Sequence, residues 1–297
     1  MRKRLVLFLM LFVSSRAYAA TDEQWPAALQ NQMIRLTTIG YHLTDAAKTS
    51  CAPQEAASGL VLDYINAYPE EDRALVARVT GLRSDPQVIG TVPGSPADSS
   101  GLKAGDAIVA INGRTLAQFR ENLKDPDLLG DALEQALLAE PAGQPFTLSV
   151  TRNDRPLRFE ITPRHSCAVR FLIKFGEGEN AFTDGVNVAI GASVIDHATS
   201  DDQIALVAAH ELAHILNHDR KATGLGDRRN MERRADILGG RIARCAGYSL
   251  EDGMEYLSNF NHRDWLRFFR DPSHPSTSSR LKALKADAGS VECPPRL

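Results

Sequence analysis

The spacing of apolar positions changes character twice along this chain. In residues 22–75 it is helical. Met33, Leu36, Ile39 and Leu43 mark one face, and a second helical stretch is expected near Ala57 to Tyr68, closed by Pro69 and the acids after it. Residues 76–164 switch to short alternating runs separated by Gly, Pro and Asn, the pattern of strands and tight turns. Within them Ser95 is placed to cap a short helix whose first turn takes Pro96, and Gly101 suits its left-handed exit. Asn112-Gly113 is a hairpin signal. A helix is expected from about Asp127 to Leu138. Strands follow at Phe146 to Thr151 and Leu157 to Ile161, joined through Asn153-Asp154. In residues 165–297 two strand-like runs, Val169 to Phe175 and Val186 to Ile190, precede helices near Asp201 to Asp219 (capped by Ser200 or Asp201) and Met231 to Ala246. A further helical stretch covers Leu250 to Phe269, and a last short helix includes Leu281 and Leu284. The fold class is therefore α+β: a mainly helical part with a small sheet, plus an inserted β-rich domain.

The first segment stands apart from this pattern. Arg2, Lys3 and Arg4 precede a nine-residue apolar run, Leu5 to Val13, and Ala17-Tyr18-Ala19 supplies a small-x-small cleavage site. Residues 1–19 thus read as a secretory signal peptide, too short for a membrane span. No later apolar run reaches spanning length, so the mature chain is expected to be exported, to the periplasm or beyond the cell, without an integral span. The signal segment holds four cations and no acid, so its removal takes the formal net charge from −3 to −7. An acidic mature chain argues against nucleic acid as a partner. With 43% hydrophobic and 24% charged residues in 297, the composition is ordinary for a globular protein with a sizeable core. Four cysteines, Cys51, Cys167, Cys245 and Cys293, permit two disulfides in an exported chain, and no C-x-x-C suggests a zinc ribbon.

The candidate chemistry lies in the expected helix at 201–219. His210 and His214, in His210-Glu211-Leu212-Ala213-His214, are one turn apart, separated by about 40° and about 6 Å of rise. Both imidazoles can then reach one ion, and Glu211 beside them can work on a water as general base. The helix is otherwise largely apolar. Ile204, Ala208, Leu212 and Ile215 imply that the histidines are semi-buried, where unpaired they would be costly. His218, a further turn on, is too far along a continuous helix to share the ion with His210. Glu232 is the better third ligand. Asp236, one turn beyond it, is placed to accept the far imidazole N–H of a ligand histidine. These residues carry a one-zinc site of His210, His214 and Glu232, with Glu211 catalytic and Asp236 behind the ligands.

Two resemblances follow from these motifs. Gly94 to Gly113, within residues 76–164, resembles a PDZ domain of the bacterial, protease-associated kind, which implies binding of extended peptides by strand addition. The loop that would hold a peptide carboxylate is reduced here to Leu82-Arg83-Ser84-Asp85-Pro86, so peptide-binding and purely architectural readings stand side by side. His210 to His214, Glu232 to Asp236, Asn180-Ala181-Phe182 with the strand at 186–190, and His274-Pro275 followed by Arg280 resemble the gluzincin metallopeptidases. Among these they resemble the family of the heat-shock protease HtpX and the CAAX prenyl protease, here as an exported branch without their membrane helices. The resemblance implies internal cleavage of protein or peptide substrates, with the strand near Ala181 to Ile190 lining the cleft. On it, residues 20–75 are the N-terminal helical part of the peptidase and residues 165–297 its metal-binding part.

His274 is a candidate oxyanion donor, a fourth ligand that closes the site, or a structural loop histidine. Arg280 either anchors a carboxylate or is solvated. The cysteine pairing expected from position is Cys51 with Cys167, flanking the PDZ-like segment, and Cys245 with Cys293, tying the tail to the ligand-bearing helix. The expected function is a zinc-dependent metalloendopeptidase acting on proteins of the cell envelope, as in protein quality control. The alternative is a non-catalytic, peptide-binding or chaperone-like envelope protein with a structural zinc.

Overall fold

The computed structural model describes residues 23–121, 123–176, 181–219, 222–259, 277–287 and 292–295. The segment expected to be a signal peptide, Asn180 and His274 lie outside the described residues. The fold is α+β.

Helix α1 (Trp25–Ala47) buries the face predicted from its spacing, with Leu36, Ile39, Leu43 and Ala47 inward. The helix expected over 57–68 is not there. In its place stand strands β1 (Gln54–Ala57) and β2 (Leu60–Asp63) and a single 3₁₀ turn, Ile65–Ala67. Gly59 separates the two strands at φ +78, a left-handed conformation that interrupts any helix through this point. Leu60 to Asp63 then alternates in burial like a strand. Pro69 does not close a helix but precedes one. It is the N-cap of α2 (Glu70–Thr80), whose first turn holds Glu70, Glu71 and Asp72, acids favoured at the positive end of a helix dipole.

An antiparallel sheet follows. Strands β3 (Gln87–Thr91), β4 (Ala107–Ile111), β5 (Arg114–Thr115), β6 (Phe146–Arg152) and β7 (Arg155–Ile161) are interleaved with helices α3 (Pro96–Ser100), α4 (Leu116–Arg120) and α5 (Leu129–Leu138). The sheet order is β2-β3-β4-β6-β7, with β5 on β4. The turn chemistry read from sequence is realised. Ser95 Oγ accepts from the Asp98 amide at 3.2 Å, and both Asn112-Gly113 and Asn153-Asp154 take positive φ, as two-residue hairpin loops require. Val88, Ile108, Ile111, Leu129, Leu133, Phe146, Leu148 and Ile161 form its core.

The chain then returns to the first region. Strand β8 (Arg164–Cys167) pairs antiparallel with β1. Strands β9 (Arg170–Lys174), β10 (Ala181–Thr183) and β11 (Asn187–Gly191) form a three-stranded sheet in the order β10-β11-β9, with β9 and β11 parallel. Helices α6 (Ala192–His197), α7 (Asp201–Leu216), α8 (Leu225–Cys245), α9 (Leu250–Asn259) and α10 (Thr277–Asp287) complete the described chain. A second core joins α1, β11, α7, α8 and α10 through Ile39, Leu43, Ile190, Ile204, Leu212, Ile242 and Leu284. Two disulfides, Cys51–Cys167 and Cys245–Cys293, follow the pairing expected from position. Two helix limits differ from expectation. Helix α7 ends at Leu216 rather than Asp219, with His218 left-handed at φ +53. Helix α8 begins at Leu225, six residues before Met231.

Candidate metal centre

Helices α7 and α8 cross at close range, and a glycine sets the distance. A Cβ on Gly239 of α8 would lie 2.8 Å from the His210 amide nitrogen and 2.9 Å from the Ala209 carbonyl carbon. Only a residue without a side chain allows this approach. It brings the Glu232–Asp236 face of α8 against the histidine face of α7.

Three donor atoms converge there. His210 Nε2 and His214 Nε2 are 3.2 Å apart. Glu232 Oε2 lies 3.2 Å from the first and 3.6 Å from the second. His210, Glu211, Glu232 and Asp236 are all buried, while His214 is partly open to solvent. The outer nitrogens settle the tautomers. His210 Nδ1–H donates to Asp236 Oδ1 at 3.0 Å, and His214 Nδ1–H donates to Asp219 Oδ2 at 2.8 Å. In its neutral form each ring keeps its proton on Nδ1 and turns the Nε2 lone pair toward the other ring and toward the Glu232 carboxylate. Three electron-rich atoms facing one another in a buried place call for a positive charge between them. The His210 pKa carries the same signature. Burial alone would lower it, but the carboxylates of Asp236 and Glu232 outweigh burial and raise it to about 9.

The carboxylates behind the histidines are held in turn. Arg280, buried on α10, grips Asp236 with two nitrogens: Nε donates to Oδ2 at 2.8 Å, and Nη2 donates to Oδ1. Burial would raise the Asp236 pKa, but the Arg280 and His210 charges and hydrogen bonds lower it to about 2. The residue is therefore ionised and a firm acceptor. Of the two sequence readings of Arg280, anchoring a carboxylate is the one realised. Helix α10 is fixed to α8 by the Arg241–Asp287 pair, with bonds of 2.8 and 2.7 Å, and Cys245–Cys293 ties the following tail to the end of α8.

Asp219 was missed in the sequence. It reaches His214 because α7 stops at Leu216 and the chain turns back through left-handed His218. Arg234 Nη2 donates to its other oxygen at 2.8 Å. The only sequence signal is an acid five residues after His214, meaningful once the helix end is known. His218 takes no part in the cluster of donors, which among the described residues is His210, His214 and Glu232.

Comparison with known proteins speaks to the other half of the molecule. Residues 74–162 match the family model described as PDZ domain, so a PDZ domain is present. No curated protein matches the chain. Among solved structures, the HtrA3 PDZ domain bound to a phage-derived ligand (FGRWV) is 27% identical, covering 38% of this chain and 88% of that one, at a TM-score of 0.27. The HtrA-type protease AlgW with decapeptide is 18% identical, covering 38% of this chain and 30% of that one, at a TM-score of 0.28. This chain thus spans about a third of the length of that protease. No helix among the described residues is long and apolar enough to cross a membrane.

Proposed function

We propose that this protein is a zinc-dependent metalloendopeptidase of the gluzincin type, with His210, His214 and Glu232 as ligands and Glu211 as general base. The observation that carries the reading is the triangle of donors. A tetrahedral ion with Zn–N and Zn–O bonds near 2.0–2.1 Å needs donors about 3.3 Å apart. The three separations here are 3.2, 3.2 and 3.6 Å. The donor set, two neutral imidazoles and one carboxylate, is that of catalytic rather than structural zinc sites. Bound there, zinc supplies Lewis acidity, which acidifies a water and polarises a carbonyl.

The chain's own residues do the rest. Asp236 and Asp219 hold the two imidazoles in the tautomer that offers Nε2. Arg280 keeps Asp236 ionised and oriented. Glu211, buried beside the ligands on α7, takes a proton from the attacking water and returns it to the leaving amine. Strand β10 is an outer strand of its sheet and lies beside α7, so an extended substrate can pair along it. On this reading residues 20–75 and 165–297 form one peptidase unit interrupted by the PDZ domain, since α1 packs into the same core as α7 and α8. The two disulfides fit an oxidising compartment outside the cytoplasm, where envelope proteins are the substrates.

The test is Glu211→Gln in the mature chain with casein as substrate. Cleavage is expected to fall by about 10²–10⁴-fold, the scale of general acid–base catalysis, with zinc content unchanged. Cleavage at the wild-type rate in a zinc-loaded variant would contradict the reading. It would favour the alternative of a peptide-holding protein with a structural ion.

A further inference from the structure

Helix α8 is longer than its contact with α7. Going back along it, the partners on α7 move from Ala209 and His210, beside Gly239, to His214, beside Glu232. The residues before Glu232 therefore continue past Leu216, where α7 ends. Leu225 to Asn230 are exposed throughout. The site opens at this same end, because His214 is the one donor of the three that is partly exposed. The first turns of α8 thus border the entrance.

Their spacing says which side chains do so. Leu225, Arg228, Arg229 and Glu232 are three and four residues apart and share one stripe of the helix. Glu232 turns to the donors, and the other three lie on the approach to them. This stripe is cationic. Asp227 is used within its own turn, where it accepts from the Thr223 amide at 2.9 Å and hydroxyl at 3.2 Å. Asp219 is used by Arg234 and His214. Arg228 is exposed and pairs with no acid among the described residues. Leu225 is 61% exposed, more than any other large apolar side chain among them. The whole chain carries a formal net charge of −3, so a positive border at the entrance inverts the overall field locally. Such a border concentrates anionic groups and repels cationic ones, and guanidinium groups match carboxylates in shape.

We propose, on the peptidase reading of the site, that Leu225, Arg228 and Arg229 form a lip that selects extended substrates with acidic side chains within a few residues of the bond to be cut. The lip acts on binding and leaves the chemical step to Glu211.

The test is binding, which does not need the bond to break. Two fluorescein-labelled peptides, AEALFAEA and AKALFAKA, are titrated into the zinc-treated Glu211→Gln mature chain. At about 10 mM salt the glutamate peptide is expected to bind on the order of tenfold more tightly, exposed charge pairs being worth up to about fivefold each. Adding Arg228→Glu/Arg229→Glu is expected to bring the ratio to one or below. Equal affinity for the two peptides, no binding of the glutamate peptide, or an unchanged ratio in the variant overturns the proposal.

Should that variant fail to fold, salt decides on the parent chain. Raising it to about 1 M shortens the Debye length from about 30 Å to about 3 Å, and the ratio is expected to fall toward one. A ratio that ignores salt contradicts the proposal. Zinc uptake without charge preference would reject the lip and spare the metal centre. Charge preference without zinc uptake would do the reverse.

Discussion

The α7–α8 contact and the core of the PDZ sheet are both buried, but they are filled with different things. Between the helices lie His210, Glu211, Glu232 and Asp236, with Arg280 reaching in from α10. Several of these groups are linked in series: Arg280 acts on Asp236, Asp236 on His210, and His210 on the donor triangle. The PDZ core is a set of aliphatic and aromatic side chains, such as Leu133, Phe146 and Leu148, with no exposed surface to speak of. Its contacts are many and nearly interchangeable. A fault in the first region should therefore travel to the site, whereas a fault of equal energy in the second should stop at stability.

Substitutions matched for cost test that contrast. Arg280→Met leaves the buried Asp236 without its cation. Loss of one partner from a buried pair costs about 3–5 kcal/mol. On the proposed zinc reading Asp236 orients a ligand, so zinc affinity is expected to drop about 10–100-fold as well, read by chelator competition. Leu148→Ala in the PDZ core should cost about 2–5 kcal/mol in urea unfolding and leave zinc affinity and the cleavage rate of the folded protein alone. If Leu148→Ala weakened zinc as much as Arg280→Met, the two regions would not differ as described.

Gly239→Ala sharpens the same point with a single methyl group. It forces the helices apart, costing about 1–3 kcal/mol by overpacking, and should weaken zinc binding. Gly226→Ala, on the same helix with open space around its Cβ position, should be neutral or stabilise by up to about 1 kcal/mol.

A pH-dependent effect lies where the two regions meet. Glu55 on β1 is paired across to β8 and lies near Arg170 and Glu134. Burial raises its pKa to about 7, with Arg170 opposing and Glu134 adding. A carboxyl with a raised folded-state pKa costs nothing below its unfolded value near 4.5. It destabilises increasingly as pH rises through 7. Glu55→Gln should therefore match wild type at pH 4 and exceed it by about 1–2 kcal/mol at pH 8, after allowance for solvent screening. Thermal melts at the two values check this, and a gain at pH 4 alone would reverse the sign.

Much of the site was legible because its chemistry follows helical spacing. His210 and His214 sit one turn apart with Glu211 next to the first, and Glu232 and Asp236 repeat that spacing on the next helix. The PDZ turns were legible because Ser95, Pro96, Gly101 and Asn112-Gly113 have local conformational demands. What escaped depends on tertiary structure. Leu60 to Asp63 has apolar positions that suit a helix, but it becomes a strand because β3 offers it an edge and α5 a surface. Asp219 joins the site only because α7 stops at Leu216. Arg280 was ambiguous until α10 was placed against α8. His274, the remaining sequence candidate, lies outside the described residues.

The central claim is that the donor triangle holds one zinc. Elemental analysis of the purified mature chain, beside Glu232→Ala prepared in the same way, tests it most directly. The account predicts one zinc per wild-type chain and little or none in the variant, with both chains folded. Metal-free wild type after zinc loading, or undiminished zinc in the variant, would contradict it.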